Sequence, residues 1–318
     1  MATYLVTGGA GFIGPHIVRR LVSRGEKVRV VDNFLTGSRD NLGDIIDRIE
    51  LIEGDIRDAE LMRKLMKGAR YCLHHAALPS VHQSIQDPMT SNEINITGTL
   101  NTLLAAKEAK IERFVYASSC AVYGDSQDLP KRENMPAEPL SPYAIGKLAG
   151  EKYTRAFYSL YGMPTVCLRY FNIFGPGQSP DSPYAAVIPI FISAMLASRP
   201  TTVHGDGEQT RDFCYVDNVV SANLLACSAP AERVAGKVFN VASEKSYTIN
   251  QLVESLNAII GKEVKPIHTP ARNGDIRESA ADINLARKYL GYVPSVGFTE
   301  GLDSTVRWFQ RNSSSMTT

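Results

Sequence analysis

The sequence lacks an excess of charge of either sign, since its 318 residues contain 34 Lys and Arg against 33 Asp and Glu. Strongly basic proteins attract nucleic acids and anionic membranes, so this balance argues against both as partners. Long apolar runs are also missing. The longest uncharged apolar stretch, residues 185–197, is too short to span a bilayer and contains Pro189. We expect neither a nucleic-acid-binding nor a membrane protein.

Cysteine is scarce, and its pattern excludes two kinds of site. The five cysteines are odd in number, widely scattered and without any CxxC spacing, which argues against a disulfide framework and a zinc site. The first strand-like run begins at residue 4, which leaves no room for a signal peptide. We therefore expect a cytoplasmic protein with reduced thiols at Cys72, Cys120, Cys167, Cys214 and Cys227.

The chain is long enough for a large core and for two domains. Strand-like runs alternate with helix-like stretches in the first half, which predicts an α/β fold with a parallel sheet flanked by helices. The predicted strands are residues 4–6, 27–31, 49–53, 69–74, 111–117 and 164–170, and the clearest helices are 93–109 and 144–161. Residues 174–183 are dense in Gly and Pro, and the alternation then becomes irregular. We predict a dinucleotide-binding domain over 1–175 and a smaller α/β domain over 176–318.

The chain is organised around a glycine-rich turn that follows the first strand. Gly8, Gly11 and Gly14 fall where a tight turn, a close backbone approach to a diphosphate and close helix–strand packing each favour glycine. Phe12 and Ile13 open the following helix, whose N-terminus attracts anions. The spacing alone also fits an ordinary tight turn.

The second strand ends at Asp32, eighteen positions after Gly14, where an acid can hold the adenosine ribose of a dinucleotide. A carboxylate there repels a 2′-phosphate, so the sequence favours NAD over NADP, with nearby Arg39 as the one opposing feature. Together with the glycine turn, Asp32 predicts a doubly wound (Rossmann) domain that binds NAD.

Ligands in such a sheet lie beyond the carboxyl ends of the strands. The third strand is followed by Asp55 and Ile56, which suit the edge and face of an adenine ring. The fourth ends in His74 and His75, followed by two small alanines. Neighbouring residues on a strand point to opposite faces, so the two histidines are not expected to share a metal ion. We predict no metal site.

A further helix is predicted to begin at Ser141 and Pro142, which suit the N-cap and the first helical position. Tyr143 and Lys147 then lie four positions apart on one helical face. A nearby ammonium favours the phenolate, so Lys147 is expected to lower the pKa of Tyr143 towards the range of a general base. A lone pair of this kind is more often an ordinary surface contact, but here it follows a dinucleotide turn and a ribose acid.

The chain resembles the extended short-chain dehydrogenase/reductase family, and within it the UDP-hexose 4-epimerases. The resemblance covers nearly the whole chain and is carried by TGGAGFIG, VVDN, EGDIRD, HHAALPSV, SSCAVYGD, SPYAIGK, LRYFNIFGPGQ, GDGEQTRDFCYVDN and NVAS. It implies that segments near 212–221 and 239–242 return to the first domain. It also implies a homodimer formed through a four-helix bundle, to which residues 92–109 and the Tyr143 helix contribute.

The resemblance implies roles for individual residues. Tyr143 would be the catalytic base, Lys147 would also hold the nicotinamide ribose, and Ser119 would hydrogen-bond O4 of the sugar. The implied NAD-binding residues are Gly8, Gly11, Phe12, Ile13, Gly14, Asp32, Asn33, Asp55, Ile56, Ala76, Ala77, Asn95, Ser118, Tyr143, Lys147 and Tyr170. The implied substrate-binding residues are Ser80, Val81, Ser119, Cys120, Tyr143, Asn172, Val187, Arg211, Arg272, Asp275 and Ser279.

The residues after Ser119 separate the reaction types of this family. Related sugar 4,6-dehydratases carry Asp-Glu there, and related decarboxylases carry a glutamate, whereas this chain has Cys120 and Ala121. The resemblance therefore implies epimerisation. Tyr143 would take the proton of the 4-OH while hydride passes from C4 to NAD⁺. The 4-keto sugar would then rotate about its diphosphate and receive the hydride on its other face.

Substrate choice in the family depends on the position of Ser279, where tyrosine excludes 2-acetamido sugars and a small residue admits them. We therefore predict turnover of UDP-GlcNAc/UDP-GalNAc as well as UDP-Glc/UDP-Gal. Three alternatives stay open: a UDP-glucuronate 4-epimerase, a net NAD(P)-dependent reductase, and a non-catalytic nucleotide-sugar-binding protein.

Overall fold

The computed structural model describes residues 2–180, 186–271 and 277–313. Its strands are β1 (Thr3–Thr7), β2 (Lys27–Asp32), β3 (Glu50–Glu53), β4 (Tyr71–His74), β5 (Arg113–Ser119), β6 (Thr165–Tyr170), β7 (Asn172–Phe174), β8 (Thr202–His204), β9 (Thr210–Tyr215), β10 (Lys237–Val241), β11 (Ser246–Thr248) and β12 (Ile267–Thr269).

The α-helices are α1 (Ile13–Ser23), α2 (Ala59–Met66), α3 (Val81–Gln86), α4 (Pro88–Asn92), α5 (Thr99–Glu108), α6 (Pro142–Tyr161), α7 (Val187–Leu196), α8 (Val216–Ser228), α9 (Ala231–Val234), α10 (Ile249–Ile260), α11 (Asn284–Leu290) and α12 (Phe298–Ser313). Two 3₁₀ segments, Arg39–Arg48 and Cys120–Tyr123, and one π segment, Glu93–Gly98, complete the helical structure of the described residues.

Seven strands form one parallel sheet in the order β10-β6-β5-β4-β1-β2-β3. The strand order reverses between β1 and β4, where Thr7 pairs with His74. In doubly wound sheets a crevice opens at this point, beyond the carboxyl ends of the strands. The predicted α/β, doubly wound Rossmann architecture is confirmed.

Apolar side chains fill both faces of the sheet, as expected for strands that are buried on two sides. Residues of α1 and α8 such as Ile17 and Val219 pack on one face. Residues of α2, α5 and α6 such as Met62, Leu103 and Phe157 pack on the other. The sheet is therefore a rigid support for the loops at its carboxyl edge.

A smaller group of elements has its own core. The strands β11, β9 and β7 form a three-stranded sheet, and β12 pairs with β8. Phe174, Phe213, Ile192, Leu252 and Phe298 are buried together among β7, β9, α7, α10 and α12. The division into residues 1–175 and 176–318 stays a prediction, although β10, which contains residues 239–241, pairs with β6 in the large sheet.

The predicted element positions agree with the structure to within a few residues, and one local detail differs. The predicted helix 93–109 begins as the π segment Glu93–Gly98 and continues as α5. All five cysteines are free thiols, and four of them, Cys72, Cys167, Cys214 and Cys227, are buried.

Candidate active site

The turn after β1 brings the chain against the loop that follows β4. The Gly8 N–H donates to the carbonyl of Val31 at 2.9 Å, and Gly8 has a φ of 67°, which favours glycine. A Cβ atom on Gly8 would lie 2.6 Å from the backbone nitrogen of Ala76. Glycine is therefore required here for two reasons, the backbone conformation and the close approach of Ala76.

The N-terminus of α1 is open to an anion. No side chain caps it, and its first turn contains no acidic residue. A Cβ on Gly11 would come no closer than 3.5 Å to another atom, so the chain leaves space in front of this turn. Pro15, in the first turn, lacks an N–H where helices leave the N–H unpaired in any case. These features fit a bound diphosphate.

Asp32 is fixed at the end of β2 by two backbone groups. Its carboxylate accepts hydrogen bonds from the N–H groups of Ala10 at 2.9 Å and Phe34 at 2.8 Å. Arg39, the feature that opposed NAD, lies 4.7 Å from the centroid of the Phe34 ring and pairs with Glu53 at 2.6 Å. The guanidinium thus already has an anionic partner, and the carboxylate of Asp32 remains at the edge of the crevice.

Asp55 lies on the other side of the same end of the crevice. It accepts a hydrogen bond from Asn33 at 2.8 Å and pairs with Arg57 at 2.8 Å. The hydrogen bonds from Arg57 lower the pKa of Asp55 to about 2, so the carboxylate is charged at neutral pH.

The crevice has a volume of about 870 Å³. Fifteen of the sixteen predicted NAD-binding residues line it: Gly8, Gly11, Phe12, Ile13, Gly14, Asp32, Asn33, Asp55, Ile56, Ala76, Ala77, Ser118, Tyr143, Lys147 and Tyr170. Asn95 does not; it is buried behind the loop, where its side-chain oxygen accepts the Leu78 N–H at 2.8 Å.

Helix α6 places Tyr143 and Lys147 at the crevice in the way the sequence predicts. The Ser141 hydroxyl caps the helix by accepting the N–H of Ala144 at 3.2 Å, and Pro142 is its first residue. The ammonium of Lys147 donates to the carbonyl of Ala117 at 2.8 Å, at the end of β5. Helix and strand end are thereby joined at the predicted catalytic residues.

The prediction that Lys147 lowers the pKa of Tyr143 is wrong for this arrangement. Burial raises the pKa of Tyr143 to about 12, and a hydrogen bond with Ser119 only partly opposes that rise. The Lys147 nitrogen lies 5.9 Å from the centroid of the Tyr143 ring and is bonded to a carbonyl instead. Burial also lowers the pKa of Lys147 to about 8.

The end of β5 presents three small residues in succession. The Ser119 hydroxyl accepts the N–H of Ala121 at 3.2 Å and caps the short 3₁₀ segment. Cys120 is half-buried, and burial raises the pKa of its thiol to about 11. The Ser118 hydroxyl donates to Glu151 at 2.5 Å, so it already has a protein partner.

Residues 4–242 match the model of the NAD dependent epimerase/dehydratase family. The UDP-glucose 4-epimerase of Mycolicibacterium smegmatis is 37% identical over 313 residues, which cover 97% of this chain and 99% of that protein. The crystal structure of Thermotoga maritima UDP-glucose 4-epimerase with UDP-glucose has a TM-score of 0.92 at 37% identity and covers 98% of this chain and 99% of that chain. The UDP-N-acetylglucosamine 4-epimerase of Methanobrevibacter ruminantium, in complex with UDP-N-acetylmuramic acid, has a TM-score of 0.93 at 40% identity, with the same coverage of both chains.

The chain belongs to the NAD dependent epimerase/dehydratase family. It is an NAD-dependent isomerase, and the resemblance to the extended short-chain dehydrogenase/reductases is confirmed. The glycine turn, the uncapped α1 and Asp32 are therefore the parts of this epimerase-family chain that fit its cofactor.

Most of the predicted substrate-binding residues lie outside the lining of the NAD crevice. Ser80 is on its wall and caps α3, where Val81 is the first residue and is exposed. Asn172 begins β7, and its amide approaches the carbonyl of Asp212 at 3.5 Å. Val187 is the first residue of α7. Arg272 and Asp275 lie outside the described residues.

Ser279 and Arg211 are close together along β9. The Thr210 N–H donates to the carbonyl of Arg277 at 2.9 Å, and the Ser279 N–H approaches the Thr210 hydroxyl at 3.4 Å. Arg211 is the next residue of β9, and its guanidinium donates to the Thr210 carbonyl at 2.8 Å. The structure thus brings together two residues that lie far apart in the sequence.

His74 and His75 face opposite sides of the sheet, as predicted. His74 hydrogen-bonds Thr7 at 2.8 Å, whereas His75 contacts Asn223 at 3.2 Å and stacks on Tyr170. His75 also lines the crevice, at the strand end that the sequence places close to a cofactor, although His75 itself was not among the predicted NAD-binding residues. Burial lowers its pKa to about 4, so this wall of the crevice is uncharged.

No helix in the described ranges is both long and apolar enough to cross a bilayer. Within the same ranges, no three His, Cys, Asp or Glu side chains are grouped closely enough to hold a metal ion.

Proposed function

We propose that the protein is a UDP-hexose 4-epimerase that interconverts UDP-Glc with UDP-Gal and UDP-GlcNAc with UDP-GalNAc through a 4-keto intermediate. The observation that supports this most strongly is the meeting of Tyr143 and Lys147 on α6 with the Ser119 end of β5 at the mouth of the NAD crevice. A general base, a cation and a hydroxyl donor are what oxidation of a secondary alcohol requires of the protein.

The three residues have distinct tasks in this proposal. Ser119 hydrogen-bonds O4 and Tyr143 removes the 4-OH proton, while Lys147 orients the ribose of the cofactor and keeps a positive charge near the phenol. Bound NAD⁺ supplies the hydride acceptor and a further positive charge. That charge is needed because burial alone raises the pKa of Tyr143 to about 12.

Elimination and decarboxylation are disfavoured by the residues that follow Ser119. Cys120 is a thiol whose pKa is raised to about 11 by burial, and Ala121 has no ionisable group. Neither can act as the acid and base pair near neutral pH, so these two positions do not support loss of water from the 4-keto sugar. Ser119 and Tyr143 would then return the proton to O4, while the cofactor held in the crevice would supply the hydride to the other face of the sugar.

The charges of the described crevice lining bear on the uronate alternative. Among the described lining residues, Lys147 is the one cation, and its ammonium is bonded to the Ala117 carbonyl. His75 carries no charge at neutral pH because burial lowers its pKa to about 4. A C6 carboxylate that reached this lining would be desolvated without a counter-ion among the described lining residues, which is costly.

The experiment incubates the protein, with NAD⁺ added, separately with UDP-Glc, UDP-GlcNAc and UDP-GlcA and resolves the C4 epimers by chromatography. We expect the first two to equilibrate with their epimers and UDP-GlcA to stay unchanged. Tyr143→Phe should lower turnover by at least about 100-fold, because the base is removed.

Other outcomes identify the alternatives. Rapid conversion of UDP-GlcA would contradict the argument from the lining. Net accumulation of NADH, seen by its absorbance, would indicate a reductase or dehydrogenase. Binding of UDP-sugars without turnover would indicate a nucleotide-sugar-binding protein. Near-normal turnover by Tyr143→Phe would show that Tyr143 is not the catalytic base.

We further infer a homodimer in the reducing environment of the cytoplasm. Leu104 on α5 and Ile145 and Tyr153 on α6 expose apolar surface on the two helices expected to form a four-helix bundle. The five unpaired cysteines fit a reducing compartment. Sedimentation velocity of the protein and of Tyr153→Glu tests the dimer, since the variant should be monomeric and a monomeric unmodified protein would contradict it.

A further inference from the structure

One face of α6 meets three consecutive residues at the end of β5. Tyr143, Lys147 and Glu151 are spaced four positions apart and so lie on the same side of the helix. The Lys147 ammonium donates to the carbonyl of Ala117, and the Ser118 hydroxyl donates to Glu151. Ser119, the next residue, is near enough to Tyr143 to oppose the rise of the Tyr143 pKa. The proposed reaction uses Tyr143 and Lys147 and leaves Glu151 without a task.

Glu151 is held in place by a second buried charge. The Arg169 Nε donates to its Oε1 and Nη2 donates to its Oε2, each at 2.8 Å, so the pair is bidentate. Both side chains are buried, with 6% of the Arg169 side chain and 2% of the Glu151 side chain exposed. Ser118 shares the Oε1 atom with Arg169.

Arg169 is itself fixed from its other side. Its guanidinium lies 4.7 Å from the centroid of the Tyr123 ring, and the Tyr123 hydroxyl donates to Asn240 at 2.7 Å. Arg169 is on β6 and Asn240 is on β10, so the pair is anchored to the large sheet. Glu151 therefore connects α6, which carries Tyr143 and Lys147, to the large sheet. The connection is a charged pair whose two side chains cannot easily shift.

Stability alone is a poor explanation for such a pair. Two buried charges are costly to remove from water, and apolar residues of similar volume often replace an ion pair without loss of stability. A bidentate pair does, however, fix two elements in one geometry. Here the fixed elements are α6 and the end of β5, which together carry Ser119, Tyr143 and Lys147.

We propose that Glu151, anchored by Arg169, is a positioning residue that holds Ser118 and thereby keeps Ser119 in register with Tyr143. The proposal rests on the proposed function insofar as Ser119 and Tyr143 act on the sugar. Without the link, the end of β5 is free to shift relative to α6, and displacements of about 1 Å at a reacting centre can lower rates about 100-fold.

The test uses two variants that remove the link without leaving an unpaired charge. Glu151→Leu combined with Arg169→Met replaces both charges, and Ser118→Ala cuts only the hydroxyl that joins the strand to the pair. We expect kcat to fall about tenfold or more in the double variant and less in Ser118→Ala. The substrate KM and the NAD affinity of the double variant should stay within about twofold of the unmodified protein.

A second readout does not depend on turnover. Amide hydrogen exchange should become faster over residues 117–121, which include the Ala121 N–H held by Ser119, and stay unchanged in α2. The matched control is Glu112→Gln, which breaks the exposed Arg70–Glu112 pair and should alter neither readout. If the double variant does not fold, kcat and hydrogen exchange of Ser118→Ala still distinguish a positioning role of the pair from a purely structural one.

If the folded variants had the same kcat and the same hydrogen exchange as the unmodified protein, the proposal would be overturned. The Glu151–Arg169 pair would then be a purely structural feature. Loss of NAD affinity together with kcat in the double variant would also overturn it, since the whole crevice would then depend on the pair. An unmodified protein that turns over none of the UDP-sugars would instead remove the proposed function, and the exchange comparison would still test the positioning.

Discussion

Ser279 is a small residue on a segment that runs along β9 next to Arg211. Its carbonyl accepts a hydrogen bond from the Ser246 hydroxyl at 2.7 Å, so the position of its backbone is defined. A larger side chain at this fixed position would enter the space proposed for the 2-acetamido group, while the smaller 2-hydroxyl of glucose leaves room. On the proposed function, side-chain volume at this position would set the substrate range.

We therefore expect Ser279→Tyr to lose turnover of UDP-GlcNAc by at least about 100-fold while turnover of UDP-Glc stays within about threefold. Initial rates with each substrate, measured by epimer chromatography, provide the check. Ser279→Ala is the matched control and should keep both activities. Full turnover of UDP-GlcNAc by the tyrosine variant would show that position 279 does not limit the pocket.

Asp212 on β9 is a fully buried carboxylate with an incomplete set of partners. Its Oδ1 accepts the N–H and the hydroxyl of Ser243, each at 2.8 Å, whereas Oδ2 has no hydrogen-bond partner among the described residues. Burial raises its pKa from 3.8 to about 6, and the bonds from Ser243 oppose that rise. The folded protein therefore binds this proton more tightly than the unfolded chain.

The stabilisation from that proton is complete below about pH 4 and is lost as the pH rises through about 6. Asp212→Asn keeps an oxygen for Ser243 and does not titrate. Its free energy of unfolding should therefore improve relative to the unmodified protein between about pH 4 and about pH 7. Urea denaturation of both proteins across this range measures the difference, and a difference independent of pH would contradict the assignment.

Local geometry at the residue scale was predictable from sequence where a short motif defines it. The glycine turn, Asp32 and the Ser141-to-Lys147 helix start are local patterns, and the structure has them as predicted. The sign of the Tyr143 pKa shift was not predictable, because it depends on burial by distant parts of the chain. The same is true of Glu151, whose partner on β6 is brought near only by the fold.

At the scale of elements, α6 lies unusually close to β5. A Cβ on Gly150 would be 2.1 Å from the Tyr116 oxygen and 2.4 Å from its Cζ, and the Tyr116 ring is fully buried. This close contact is what brings Lys147 and Glu151 within hydrogen-bond distance of the strand. Glycine in a helix is otherwise unfavourable by about 0.5–1 kcal/mol relative to alanine.

We expect Gly150→Ala to lower the free energy of unfolding, because overpacking costs about 1–3 kcal/mol and exceeds the gain in helix propensity. The shift of α6 should also lower kcat. Urea denaturation and initial rates measure the two effects. Gly43→Ala is the control, since a Cβ there meets no atom within 4 Å; a stabilised Gly150→Ala would mean that α6 and Tyr116 can move apart freely.

Elements were predictable to different degrees for a physical reason. The central strands are buried on both faces and read as continuous apolar runs, so their positions were predicted closely. The place of β10 beside β6 was implied only by the family resemblance. The π segment Glu93–Gly98 was missed, because its sequence has the spacing of an ordinary helix.

At the scale of the whole molecule, the crevice at the β1–β4 reversal couples ligand binding to folding. Its walls come from segments as distant as residue 8 and residue 186, which meet only in the folded chain. A ligand that binds this crevice therefore binds only the native state, and it stabilises that state by mass action.

For protein stripped of cofactor, NAD at about 100 times its Kd should raise the free energy of unfolding by about 2.7 kcal/mol. NADP at the same concentration should raise it far less, because Asp32 repels a 2′-phosphate. Asp32→Asn keeps an oxygen for the Ala10 N–H and should narrow the gap between the two cofactors. Equal stabilisation of the unmodified protein by NAD and NADP would contradict this role of Asp32.

The four buried thiols have a practical consequence for following the protein over time. Burial raises the pKa of the Cys72, Cys167, Cys214 and Cys227 thiols, so each resists conversion to the reactive thiolate while the chain is folded. An alkylating reagent should therefore modify these positions mainly in molecules that have opened. Mass spectrometry of alkylated protein then counts opening events and locates them, since Cys214 lies on β9 of the smaller sheet and Cys72 and Cys167 lie on β4 and β6 of the larger one. The native cysteines therefore report both local and global unfolding without any engineered substitution.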